Sequence, residues 1–233
     1  MAENSAFGID RFRASCSRMI WMASNHEVVT GWNEIWSRYR APNFLGRRLH
    51  AERIKTLRKI LSSLGLPLGA PIVDIGCGSG STLSIFRSLG YISSIGVDGA
   101  EKGLAAGQKL YGYARDKDIF LADARNTPFG DKSFDLVFSQ GLLEHYEQKS
   151  EALQIVKEFC RLSKKYVLLL QPDQSSLFGL VKRMYERSGR SSWEIEYRYL
   201  KKDYIGLFDN SSFALLDTGS SNFREEMWLL FGR

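Results

Sequence analysis

Proline and cysteine are scarce in this chain, five and three among 233 residues. Cys16, Cys77 and Cys160 are odd in number, widely spaced and without a C-x-x-C pair. Neither a disulfide framework nor a zinc site is indicated, no metal is implied, and a reducing, cytoplasmic setting is the expectation. Long apolar runs are missing as well. The stretch Val167–Leu170 is far short of the roughly 20 residues a membrane-spanning helix needs. Repeats and low-complexity tracts are also wanting. What is present is ordinary globular material, 44% apolar or aromatic and 25% charged, which excludes a mainly disordered or collagenous chain. The length gives enough apolar mass for a core that needs no metal or disulfide staple.

Charge is unevenly spread. Residues 1–70 hold 11 Lys/Arg against 5 Asp/Glu, and residues 71–233 hold 21 of each. The surplus gathers at Arg38, Arg40, Arg47, Arg48, Arg53, Lys55, Arg58 and Lys59. Such a stripe suits an acidic substrate, a phosphate backbone or an anionic membrane. The plainer expectation is a solvated helix face that keeps the protein soluble.

Residues 1–70 read as a helical extension or cap. Phe12, Cys16, Met19, Ile20 and Ala23 recur at helical spacing, Trp32, Ile35, Trp36 and Tyr39 continue an aromatic stripe, and Leu49 to Leu64 form a second amphipathic pattern that Gly65 and Pro67 stop. After Pro71 short apolar runs alternate with helical patterns. Strands are expected at Ile72–Ile75, Ser94–Val97, Ile119–Ala122, Phe134–Ser139, Tyr166–Gln171, Phe213–Asp217 and Met227–Phe231, with crossover helices clearest at Thr82–Leu89, Glu101–Tyr111 and Ser150–Leu162. That alternation predicts a doubly wound α/β fold, a mostly parallel sheet with helices on both faces. The last two strands leave no room for a crossover helix, so that pair is expected to be antiparallel. A long insertion at about 172–202 interrupts the domain 71–233.

The sharpest local signal is Ile72-Val73-Asp74-Ile75-Gly76-Cys77-Gly78-Ser79-Gly80, an apolar strand ending in alternate glycines and running into a helix. Glycines there let backbone approach a ligand where a Cβ would collide, and the helix start offers free N–H groups. Asp98 stands at the carboxyl end of the next strand, where doubly wound folds accept a ribose diol. Asp123-Ala124 closes the third strand, and Phe134–Gln140 leads into Gly141-Leu142-Leu143-Glu144-His145. A dinucleotide fingerprint wants G-x-G-x-x-G rather than this G-x-G-x-G, and the phosphate loop G-x-x-x-x-G-K-[ST] is absent.

These four elements, in this order and spacing from about Pro71 to Phe231, resemble a class I S-adenosylmethionine-dependent methyltransferase of the group that modifies small molecules. The resemblance implies a seven-stranded Rossmann-like sheet with its last strand antiparallel, and S-adenosyl-L-methionine as cofactor. It implies that Gly76, Cys77, Gly78 and Gly80 form the loop under the methionine part, with Asp74 near its amino group and Gln140 near its amino-acid end. It also implies that Asp98, followed by Gly99, holds the ribose, and that Asp123, with Ala124 beside it, meets the adenine amine. Two departures stand out: Gly99 where the family usually has a small polar residue, and Leu162-Ser163-Lys164-Lys165 in place of a Gly-Gly turn. Gly103 and Gly107 weaken the second crossover helix unless it packs unusually close to a neighbour.

Transfer from a sulfonium is an in-line displacement with a neutral thioether leaving, so positioning carries most of the catalysis and a base is needed only if the acceptor keeps its proton. His145 is the better-placed base candidate and Tyr146 the weaker. Recognition of a small-molecule acceptor is expected from a lid carrying Trp32, Trp36, Tyr39, Phe178 and Tyr197, the alternative being that these rings are the lid's own core. Two further readings stay open: a methyltransferase docking RNA or protein on the basic N-terminal region, and an idle homologue that only binds.

Overall fold

Alternation along the strands decides the layers. In β1 (Ile72–Ile75), β2 (Ile95–Asp98), β4 (Phe134–Gln140) and β5 (Ser163–Pro172), successive apolar side chains point to opposite faces of the sheet. Val73, Ile75, Val97, Val137 and Leu169 enter one core with Ile155 and Phe159 of α5 (Lys149–Leu162). Ile72, Leu136, Phe138 and Leu168 enter the other, against Phe86 of α3 (Ser81–Ser88) and Leu57, Ile60 and Leu61 of α2 (Phe44–Ser63). The second half of the N-terminal extension is thus a working layer of the fold.

The computed structural model describes residues 26–37, 44–173, 175–176, 197, 199–220 and 226–233, the side chains of 26–28, 44–47 and 49 excepted. The helix expected around 12–23, Arg38, Tyr39, Arg40, the Arg47 side chain and most of the insertion, Phe178 included, lie outside that set. The remaining elements are α1 (His26–Ser37), α4 (Glu101–Tyr111), β3 (Ile119–Leu121), a 3-10 turn at Leu143–His145, α6 (Lys201–Gly206), β6 (Ala214–Ser220) and β7 (Glu226–Gly232).

The sheet has seven strands in the order β3-β2-β1-β4-β5-β7-β6. β1 to β5 run parallel, and β7 lies antiparallel between β5 and β6. Strand order reverses at β1, whose neighbours β2 and β4 lead away in opposite directions, and the crevice outside the carboxyl ends there is where such sheets bind ligands. The seven strands and the three crossover helices expected from sequence are present, with ends shifted by a few residues at most strands. Sequence did not place β7 inside the sheet, because neither strand length nor connection length says which neighbour a strand chooses.

Two close approaches fix the N-terminal helix and the loop on α4. A Cβ at Gly103 would stand 2.9 Å from Nε1 of Trp36, and one at Gly107 would stand 2.6 Å from the Ser79 carbonyl oxygen. Asn33 Oδ1 of α1 accepts the Lys102 N–H at 2.9 Å. It serves an orphan donor in the first turn of α4, where Ala100 at the N-cap provides no side-chain bond.

Candidate cofactor and acceptor site

β1 delivers the chain into Gly76–Gly80, whose three glycines have left-handed φ values of 79°, 54° and 73°. At Gly78 space adds to backbone geometry, since a Cβ would stand 2.4 Å from Cζ2 of Trp36. The Gly78 N–H donates to Asp98 Oδ2 and the Ala100 N–H to Asp98 Oδ1, both at 2.7 Å. Loop, strand end and α4 are thereby locked around one carboxylate. Burial raises the Asp98 pKa, and the N–H groups of Ala100, Gly78 and Gly99 pull it back.

These elements enclose a cavity of about 350 Å³, the size of a small-molecule site. Asp74, Gly76, Cys77, Gly78, Asp98, Gly99, Asp123, Ala124 and Gln140 all border it. Gly80 does not. Its place is taken up by Tyr113, whose Cε2 would be 2.6 Å from an added Cβ and whose hydroxyl donates to the Gly80 carbonyl at 3.0 Å. Gly80 therefore makes room for a core tyrosine at the start of α3 rather than for a ligand.

Asp74 is 2% exposed, and among the described residues no donor reaches its Oδ1. Burial, then the charge of Asp98, pushes its pKa up to about 8, with Arg53 acting in the opposite direction. The carboxyl lies in the cavity wall with acceptor capacity in hand. Burial, then Asp98 and Asp74, also raises the Cys77 thiol, which keeps it protonated and inert. Asp123 is more committed than its sequence context suggested. Arg125 grips it through Nε (3.1 Å to each oxygen) and Nη2 (2.7 Å), and the Arg125 N–H adds a bond of 2.8 Å.

On the opposite wall the 3-10 turn brings His145 to the cavity, where its ring meets Trp32 edge-on, centroids 4.9 Å apart at 84°. Val29, Ile35 and Leu142 add apolar surface to the lining. Tyr146 borders the cavity too, and burial, then Asp123, raises the pKa of its phenol. Trp36 lies over Gly78. Tyr197 does not border the cavity. Its N–H donates to the Glu144 carbonyl at 2.7 Å and its ring packs on the core, so of the expected lid it behaves as core.

Sequence reasoning missed Arg53 as a cavity residue, and with it Glu226, its partner at 2.7 Å. One signal was available for Arg53. It falls four, seven and eight residues before Leu57, Ile60 and Leu61, a charge on the buried stripe of α2. No metal-binding cluster occurs among the described residues, and none of their helices is long and apolar enough to cross a membrane.

A family described as "Methyltransferase domain" matches residues 73–170. The Bos taurus protein "Probable tRNA methyltransferase 9B" is 29% identical over 94 residues, which cover 40% of this chain and only 19% of that relative's length. Among solved structures, magnesium protoporphyrin IX methyltransferase from Synechocystis PCC 6803 with bound SAH superposes with a TM-score of 0.64 at 19% identity, covering 93% of this chain and 99% of the other. The PH0226 protein of Pyrococcus horikoshii OT3 gives 0.66 at 20% identity over 85% and 98%. The cavity fits an S-adenosyl group on its own evidence. The orphaned Oδ1 of Asp74 suits an ammonium, the bare loop at Gly76 and Gly78 suits a closely held chain, and the Asp98 oxygens keep lone pairs for a diol. Residues 73–170 thus match a methyltransferase domain, and the strand order and glycine loop around them agree with the class I S-adenosylmethionine-dependent fold that the sequence resembles.

Proposed function

We propose that this protein transfers a methyl group from S-adenosyl-L-methionine to a small, largely apolar acceptor. The observation that carries this reading is that Val29, Trp32, Ile35, Leu142 and His145 line the same cavity as the glycine loop. An apolar wall with few polar groups is the usual make-up of a small-molecule site. When bound, the cofactor supplies an electrophilic methyl whose departure leaves a neutral thioether. This chain's residues do the rest. Asp74, Arg53 and Gln140 hold the amino-acid end, Asp98 the ribose hydroxyls, and Asp123 with Ala124 the adenine edge. Trp36 covers the loop, and Val29, Trp32 and Ile35 of α1 wall the acceptor end. Holding a nucleophile close and in line in this way is worth on the order of 7–11 kcal/mol. For an acceptor that carries a proton, His145 is the group placed to receive it.

The basic face of α2 is the surface on which a nucleic acid would dock. Arg48, Arg58 and Lys59 lie exposed on it, Lys55 pairs with Glu52 at 2.7 Å, and Arg53 is turned inward. The test is uptake of labelled methyl from S-adenosylmethionine into a metabolite extract and, separately, into total RNA, each across a salt series. The reading predicts a labelled small molecule with turnover nearly independent of salt. Labelled RNA with activity falling steeply as salt rises would replace it. With the acceptor in hand, His145→Asn is expected to remove the acidic limb of the pH–rate profile; an unchanged profile discards His145 as the base.

A further inference from the structure

Four polar side chains from separate parts of the sequence form a chain along the cavity rim. Thr82 Oγ1, in the first turn of α3, donates to Gln140 Oε1 at 3.0 Å. That bond sets the amide so that Gln140 Nε2 donates to Glu226 Oε1 at 2.6 Å. Arg53 donates to the same carboxylate, Nη2 to Oε1 at 2.7 Å and Nε to Oε2 at 3.4 Å. Thr82, Gln140 and Arg53 border the cavity, whereas Glu226, the first residue of β7, stands behind them. The ion pair is largely withdrawn from water, each side chain 19% exposed, so it holds its geometry better than a surface pair would.

A free amino-acid group is a zwitterion, and a site for it must keep one anion and one cation apart. Asp74 and Arg53 are those two groups, both in the cavity lining, and Asp74 feels the field of Arg53. Unrestrained, a guanidinium on a flexible stem would close on the buried carboxyl and fill the place the ligand needs. Glu226 takes the Nε–Nη2 edge of Arg53 instead, which leaves the Nη1 side of the fork for a carboxylate. It also takes one N–H of Gln140 and so fixes the amide at the same end.

We propose that Glu226 is a positioning residue that holds Arg53 and Gln140 apart from Asp74, so that the cavity accepts the amino-acid end of an S-adenosyl ligand. The proposal rests on the cofactor reading above and is tested separately from it. Two ligands are titrated calorimetrically into the wild type, Glu226→Ala and Glu226→Gln: S-adenosylhomocysteine, and 5′-methylthioadenosine, which has the adenosyl thioether without the amino acid. Both variants are expected to bind S-adenosylhomocysteine about tenfold more weakly or worse, with Gln the milder, while methylthioadenosine affinity stays within about twofold. An equal loss for both ligands makes Glu226 a structural prop and overturns the proposal, as does undiminished binding of S-adenosylhomocysteine. If Glu226→Ala does not fold, Glu226→Gln, which keeps the size and one acceptor oxygen, decides alone. Failure of the wild type to bind S-adenosylhomocysteine removes the cofactor reading, and the role of Glu226 with it.

Discussion

At the residue scale the chemistry turns on Asp74, a carboxyl withdrawn from water beside a second acid, Asp98. Its pKa of about 8 in the fold, against 3.8 for the ordinary group, has a definite sign. The folded protein holds a proton that the unfolded chain has released, so this contribution to stability is full below about 3.8 and is lost as pH rises to about 8. Asp74→Asn is therefore expected to gain on the wild type between pH 5 and pH 8 in urea midpoints measured without ligand; a constant gap contradicts this. A ligand ammonium needs the ionised form, so binding of S-adenosylhomocysteine near pH 7 should release a proton in the wild type, read from titrations in buffers of different ionisation enthalpy, and none in the variant. Asp74 and Asp98 stood out in the sequence because Asp98 ends β2 and Asp74 lies two residues before Gly76. Arg53 and Glu226 did not, since they stand 173 positions apart and meet only after β7 inserts beside β5.

Elements meet at two points that the sequence flagged without explaining. Gly103 and Gly107 looked costly inside a helix, and the fold uses both as clearances, one for Trp36 of α1 and one for the Ser79 carbonyl. Alanine is ordinarily better than glycine in a helix by about 0.8–1.0 kcal/mol. Gly107→Ala should nonetheless lower the denaturant midpoint, because its Cβ would sit 2.6 Å from a backbone oxygen that cannot rotate away. A raised midpoint would mean that the loop and α4 are not held this closely. The amphipathic pattern from Leu49 to Leu64 showed a helix with a buried face, but not that the face completes a sheet layer. Helical periodicity names the face and is silent about the partner.

For the whole molecule, the alternation of strands and helices was enough to give a doubly wound sheet, and the short link between the last two strands gave their antiparallel pairing. Which strand β7 would join, and that Gly80 serves Tyr113, depended on tertiary packing with no local signature. Because α2 shares its core with β1, β4 and β5, cap and sheet should unfold in one transition. Leu57→Ala should lower the stability of that single transition by about 2–5 kcal/mol; a separate early transition for the N-terminal helices would contradict it. The central claim is that one cavity, closed by the glycine loop and Asp98, binds the adenosyl group. The direct measurement is thermal unfolding with S-adenosylhomocysteine, for the wild type and Asp98→Ala. At a ligand concentration 100 times its dissociation constant the wild type should gain about 2.7 kcal/mol, and Asp98→Ala should lose most of that gain. A wild type that gains nothing, or a variant stabilised to the same extent, would contradict the account.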